Sequence, residues 1–235
     1  MRSLAALALG GIVVAVAGRL RWLTPSGQLA AAIVGLAVLL GSGTLGVTLL
    51  FVFFLSSSVL SRFRAERKGR AGEPGGRSAM QVVANGGVAA GLSLLALAGC
   101  VPAAQYALVG ALAAATADTW ATEIGSAGGW PTWSVIGRGR VASGDSGGVS
   151  IPGTLGGIAG AALIGVVAAL IARSGAGADE WIRMGLLAGT AGMFVDSILG
   201  ATLEDRLRFI GNDEVNLGCT LVGASVALVL YGVRC

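Results

Sequence analysis

The chain contains no histidine and a single lysine, Lys68. The first absence removes the imidazole that acts as general base in Ser–His and Cys–His catalysis. It matters because Gly144-Asp145-Ser146-Gly147-Gly148 spells the pentapeptide that surrounds the nucleophilic serine of trypsin-like proteases. With no imidazole, and with Lys68 in a run of charges far away in sequence, Ser146 has no base to take its proton, and the protease reading fails. The lone lysine is followed by Gly69 and Arg70, so the GxxxxGK[ST] phosphate loop is absent, as is the protein-kinase motif set. The three cysteines, Cys100, Cys219 and Cys235, form no CxxC pair and no metal-ligand spacing; they read as small apolar fillers.

Charge is the other scarcity. Only 12% of the 235 residues are charged, while 54% are hydrophobic and the mean hydropathy is +0.81. Soluble domains carry roughly 25% charged residues. The composition is that of an all-α, polytopic transmembrane helix bundle, a single domain over 1–235. Its 40 glycines suit the close backbone approach of helices in a bilayer.

A crossing helix needs about 20 mostly apolar residues. Eight segments qualify: 3–18, 27–43, 44–61, 80–100, 103–124, 151–172, 182–203 and 214–233. The first is short, and its loss would leave seven spans. It also ends in Ala15-Val16-Ala17, like a signal-peptidase site. The second and third are parted only by Gly41-Ser42-Gly43. With eight spans, one side receives Arg19, Arg21, Arg62, Arg64, Arg67, Lys68, Arg70, Arg77, Arg138, Arg140, Arg206 and Arg208, which is 12 of the 16 basic residues. Positive charge marks the cytoplasm. The expected protein is therefore a multi-pass protein of the cell (inner) membrane with both termini outside. Cleavage after Ala17 would export the basic loop 62–77, which argues against it. That loop has a plain reading as a topology signal and lipid-headgroup contact. A second cytoplasmic connector, 126–150, is rich in glycine.

Ionisable groups inside spans are costly and point to function. Asp118 and Glu123 lie in ATADTWATEIG, and Asp196 lies in MFVDSILGATLED. Asn85 opens the fourth span; Asn212, Asp213 and Asn216 open the eighth. The alternating topology places all of these near the cytoplasmic ends of their spans, at one depth, which predicts one site at the inner interface. Carboxylates with amide oxygens suit Mg²⁺, which takes oxygen ligands and shares them with phosphates. The expected metal ligands and catalytic groups are Asp118, Glu123 and Asp196. Five residues apart, Asp118 and Glu123 stand about 140° apart on an ideal helix. Asn85, Asn212 and Asn216 would orient water or phosphate. The glycines of Gly137–Gly157 can turn backbone N–H groups towards an anion. Ser146, Gly147, Gly148, Thr154 and Ser197 are thus candidate phosphate holders, with Arg138 and Arg140 as clamps and Arg77 as a further candidate. Taken singly, these features have plainer readings: an ion pathway for the aspartates, a helix cap for Glu123, a flexible connector for the loop.

The strings ATADTWATEIG, SGDSGGVSIPGTLGG and VDSILGATLEDRLRFIGNDEVN resemble the integral-membrane family that includes plant phytyl-phosphate kinase. The family pattern usually has GTNGG where this chain has Gly144–Gly148, and glutamine where it has Glu204. The resemblance implies a phosphotransferase that uses a nucleoside triphosphate, typically CTP, to convert an isoprenyl monophosphate into the diphosphate for prenyl-lipid salvage. The expected partners are nucleotide, isoprenyl monophosphate and membrane lipid, with no nucleic acid. A CTP-dependent lipid cytidylyltransferase and a transporter of solute, ion or lipid are the alternatives.

Overall fold

Backbone polar groups in lipid must be satisfied within the segment, and helices achieve this. The computed structural model describes residues 2–67, 75–99, 101–137, 139–172, 177–204, 207 and 209–232. In chain order these form α1 (Arg2–Arg19), α2 (Pro25–Arg67), α3 (Ala79–Leu97) and α4 (Val101–Ala127). Three short strands follow, β1 (Thr132–Ser134), β2 (Arg140–Val141) and β3 (Gly148–Val149). The chain closes with α5 (Ile151–Ile171), α6 (Ala178–Leu199), a wider π turn at Gly200–Glu204, and α7 (Asn212–Gly232). The protein is an all-α polytopic membrane bundle. Five described stretches are long and apolar enough to cross a bilayer: Pro25–Ala65, Ala79–Leu97, Ile151–Ile171, Ala178–Glu204 and Asn212–Gly232.

The segments expected at 27–43 and 44–61 are the two arms of α2. At Gly43 the backbone leaves helical geometry (φ 57°, ψ −140°), a conformation open to glycine and strained for other residues. The arms fold back on each other there. The ring of Trp22, just before the first arm, lies 6.1 Å from that of Phe54 on the second. A Cβ on Gly46 would come within 2.7 Å of Val38 Cγ1. The second arm also runs past 61 to Arg67, so Arg62 and Arg64 are helical rather than part of a loop. Arg77 is tied down beside the start of α2, its N–H donating to the Trp22 carbonyl at 2.9 Å.

α4 does not appear among the five crossing stretches, although it has 27 residues. Its position explains the modest hydropathy. Residues 106–118 are buried without a break, and α2, α3, α5, α6 and α7 all pack on it. An axial helix shielded by its neighbours need not be lipid-compatible, so it can carry Thr116 and Asp118. The packing relies on small residues. Gly110 of α4 and Gly223 of α7 face each other so closely that a methyl on either would strike the other's carbonyl oxygen.

The connector expected over 126–150 is more ordered than a glycine-rich link. α4 extends to Ala127, and the strands form an antiparallel sheet in the order β2-β1-β3, with Trp133 opposite both Arg140 and Val149. Strands of two or three residues show no detectable alternation, and only the turn-forming glycines stand out in the sequence.

Gly223→Val should lower the unfolding midpoint in detergent by the equivalent of about 1–3 kcal/mol, the usual cost of overpacking. Gly91→Ala, where a Cβ meets nothing within 4 Å, should leave the midpoint unchanged or raise it. Equal midpoints for the two variants would contradict the α4–α7 contact.

Candidate functional site

Asp118 ends the buried stretch of α4. Asp196 sits in the last turns of α6, and its carbonyl accepts from the Gly200 N–H where the helix widens into the π turn; such turns recur at functional sites. α7 contributes Asn212 and Asn216, one turn apart. With its amide nitrogen facing inward, the orientation that gives each of its polar atoms a partner, Asn216 donates to Asp118 Oδ2 at 3.2 Å and to Asp196 Oδ2 at 3.1 Å. Its oxygen accepts from Asn212 Nδ2 at 3.0 Å. The two carboxyl groups are also within hydrogen-bonding reach of each other. Three helices thus converge on one polar knot whose members, Asp118 and Asn216, are 9% and 8% exposed.

Glu123 is not part of it. It faces α2, where Ser61 Oγ donates to Oε1 at 2.6 Å and Arg64 Nε lies 3.3 Å from Oε2. Among the described residues, no three Asp, Glu or Cys side chains gather closely enough to hold a metal. The expected trio of carboxylates is therefore a pair, Asp118 and Asp196, with Glu123 set against a cation of its own. The helical angle between positions 118 and 123 is the cause.

Two cavities meet at the knot, and Asp118, Thr122 and Asn212 line both. The larger, about 610 Å³, is bounded by Arg19, Arg21, Arg62 and Arg77, together with Trp22, Ser58, Gln81, Asn85, Glu123 and Asn216. The smaller, about 120 Å³, is bounded by Asp145, Asp196 and Glu204, together with Ser146, Gly147, Gly148, Thr154 and Ser197. One cavity is basic and the other acidic. Burial lowers the Arg77 guanidinium to about 10, an effect Glu123 opposes, so Arg77 remains a cation at neutral pH. It lies over the rings of Phe53 and Phe54, 5.3 and 5.7 Å from their centroids.

The glycine loop contributes differently from expectation. Gly147 has φ +71°, and a Cβ there would strike Ala201 and come within 2.7 Å of the Ser197 carbonyl oxygen. Its glycine permits the loop to lie directly on the π turn. The cavity that Ser146, Gly147 and Gly148 line is the acidic one. Asp145 Oδ2 caps the loop by accepting from the Ala142 N–H at 2.9 Å. Arg140 lines neither cavity; its guanidinium stacks 5.7 Å from the Trp133 ring. Arg138 lies outside the described residues. The arginines at the site are instead Arg19, Arg21, Arg62 and Arg77. The first three read in sequence as orientation marks. A signal was there, because Arg21 and Trp22 sit in a link of only five residues, 20–24, too short to carry them away from the helix ends.

Residues 8–224 match the family described as integral membrane protein DUF92. The chain belongs to that family. Among DUF92 relatives, an uncharacterised membrane protein of Methanocaldococcus jannaschii is 32% identical over 215 residues, covering 90% of this chain and 87% of its own length. Protein PGR of Arabidopsis thaliana is 30% identical over 182 residues, 66% of this chain and 63% of that protein. Protein VTE6 of the same plant, a chloroplastic protein, is 26% identical over 219 residues, 88% of this chain and 65% of that protein. No solved structure matches this DUF92 chain.

Asn216→Leu removes both donors from the carboxylate pair at nearly constant volume. It should cost about 2–3 kcal/mol, as expected when buried acceptors lose their partners. Asn85→Leu, where among the described residues the amide donates only to the Gln81 carbonyl at 3.0 Å, should cost less than half as much. Detergent unfolding of the two variants measures the difference.

Proposed function

We propose that this protein is a membrane isoprenoid-phosphate kinase. It transfers the γ-phosphoryl group of a nucleoside triphosphate, CTP by the family likeness, to a prenyl monophosphate such as phytyl or geranylgeranyl phosphate. The observation that carries the reading is the meeting of a basic and an acidic cavity at Asp118. Phosphoryl transfer between two anions needs cationic groups for the phosphates and a carboxylate-bound cation at the point of exchange. Kinship with Protein VTE6 along most of the chain supports the same reading, and the motif likeness to plant phytyl-phosphate kinase supplies the substrate class.

The donor set fits Mg²⁺, which is usually held by one or two carboxylates, with water and substrate phosphate completing its oxygen shell. Two carboxyl groups side by side, bridged by a neutral amide, offer oxygen ligands of the hard type that Mg²⁺ takes. Asp118 and Asp196 would hold the ion, with Asn212 and Asn216 beside them, and when bound it would neutralise charge on the phosphates.

In the reaction, an oxygen of the lipid phosphate forms a bond to the γ-phosphorus. The bond from that phosphorus to the β,γ-bridging oxygen breaks, and the nucleoside diphosphate leaves. A phosphate monoester has a second pKa of about 6, so the attacking group is already mostly dianionic at pH 7. No general base is required, which suits a chain without histidine. Asn216 holds Asp118 and Asp196 in register, and the cavity arginines fix the phosphates.

Arg19, Arg21, Arg62, Arg64 and Arg77 lie at the site's end of the bundle. By the positive-inside rule that end is cytoplasmic, in a cell membrane with both chain termini outside.

With γ-labelled CTP and prenyl phosphates of several lengths, the purified protein should pass label to the lipid. Label appearing in pyrophosphate would instead indicate a cytidylyltransferase. Uptake into liposomes without turnover would indicate transport. Asp118→Asn and Asp196→Asn should each reduce turnover by about 10³-fold or more, the scale seen when a group stabilising transition-state charge is removed. Glu123→Gln, which loses the Arg64 pair, should stay within about tenfold of the parent protein. Normal turnover by either aspartate variant would refute the assignment.

A further inference from the structure

Arg21 has φ +58°, alone among the described non-glycine residues in having a positive φ. It follows the last turn of α1. Its N–H donates to the Gly18 carbonyl at 3.0 Å, and the Trp22 N–H donates to the Ala17 carbonyl at 2.8 Å. This is the left-handed closing residue of a helix, a position that glycine fills without strain. The chain has glycine in abundance and places arginine here instead. A strained backbone does not identify a ligand, but the side chain's surroundings do.

Arg21 lines the larger cavity together with Arg19, Arg62 and Arg77. The same cavity is bordered by two polar groups that lack a partner among the described residues, the Ser58 hydroxyl, on a residue only 5% exposed, and the Trp22 indole N–H. Buried donors of this kind are normally satisfied, so both await an acceptor. Four guanidinium groups lining a space of about 610 Å³ suit a chain of phosphates. The smaller cavity, about 120 Å³ and edged by carboxylates, does not.

We propose that the larger cavity binds the oligophosphate chain of the phosphoryl donor, and that Arg21 is held in its strained backbone conformation to present a guanidinium to those phosphates. The term "donor" rests on the kinase reading; the claim that an oligophosphate binds beside Arg21 does not.

The test uses the full chain in detergent, with a chelator present, and inorganic tripolyphosphate as the probe. Calorimetry should show tripolyphosphate binding more tightly than inorganic phosphate or a short-chain prenyl monophosphate. Arg21→Gly should weaken tripolyphosphate binding about tenfold or more, the loss of one bidentate charged contact. The ligand-free unfolding midpoint of this variant should equal or exceed that of the parent, because glycine relieves the cap. Arg21→Lys should retain part of the affinity. A purely structural arginine predicts the reverse pattern, a lower midpoint with binding intact, and that result would overturn the proposal. Loss of prenyl-monophosphate binding alone in Arg21→Gly would overturn it too. If tripolyphosphate binds in an Arg21-dependent way but no prenyl phosphate is ever phosphorylated, the kinase reading fails and this assignment stands. If phosphoryl transfer proceeds with its nucleotide dependence unaltered in Arg21→Gly, the kinase reading stands and this assignment fails.

Discussion

The structure turns on one hydrogen-bonded contact, the amide of Asn216 lodged between the carboxyl groups of Asp118 and Asp196. Carboxylates withdrawn from bulk water repel each other and are costly unless paired or bridged. A neutral amide holds the two groups in place through its two N–H donors. On the proposed kinase reading, this pair is the seat for the cation. Because the three residues sit on α4, α6 and α7, the contact also fixes how those helices meet at the site's end.

The rest of the bundle makes the contact possible. α4 is wrapped by five neighbours, so an aspartate on it faces protein and cavity rather than lipid. Glycines bring the helices close enough for short side chains to touch. Gly192 of α6 lies against Ala114 of α4 and the Cys219 carbonyl of α7, one turn before Asp196. The π turn then opens a gap into which Gly147 settles, so the glycine-rich loop forms the wall of the acidic cavity. On the other side of Asp118, the ends of α1 and α2 and the start of α3 supply the arginines. The opposition of charge across a single residue follows from which helix ends face which.

Much of this is legible in the chain itself. Segments of about twenty apolar residues identify the helices because a bilayer permits little else, and Gly41-Ser42-Gly43 announces the reversal completed at Gly43. Asp118, Asp196 and Asn216 stand out because polar groups there are expensive. What escapes the sequence depends on direction or on distant partners. Glu123 shares a motif with Asp118 yet points to Arg64 and Ser61, a pairing across some sixty positions that no local spacing reveals. Arg19, Arg21 and Arg62 look identical to residues that merely orient a membrane protein, and only the cavity distinguishes them. Arg140 sits next to the conspicuous loop but stacks on Trp133 instead of reaching the site. The small sheet is built from strands too short to carry a period.

The central claim is that Asp118 and Asp196 together seat the cation on which a phosphate exchange depends. An experimental structure grown with Mn²⁺ and a non-hydrolysable nucleotide tests it most directly, because manganese is located by its own anomalous signal. The account predicts a single strong peak within coordinating distance of both aspartates, at the junction of the two cavities. A peak bound elsewhere with the aspartate pair empty, or aspartates lying on separate faces of the bundle, would contradict it.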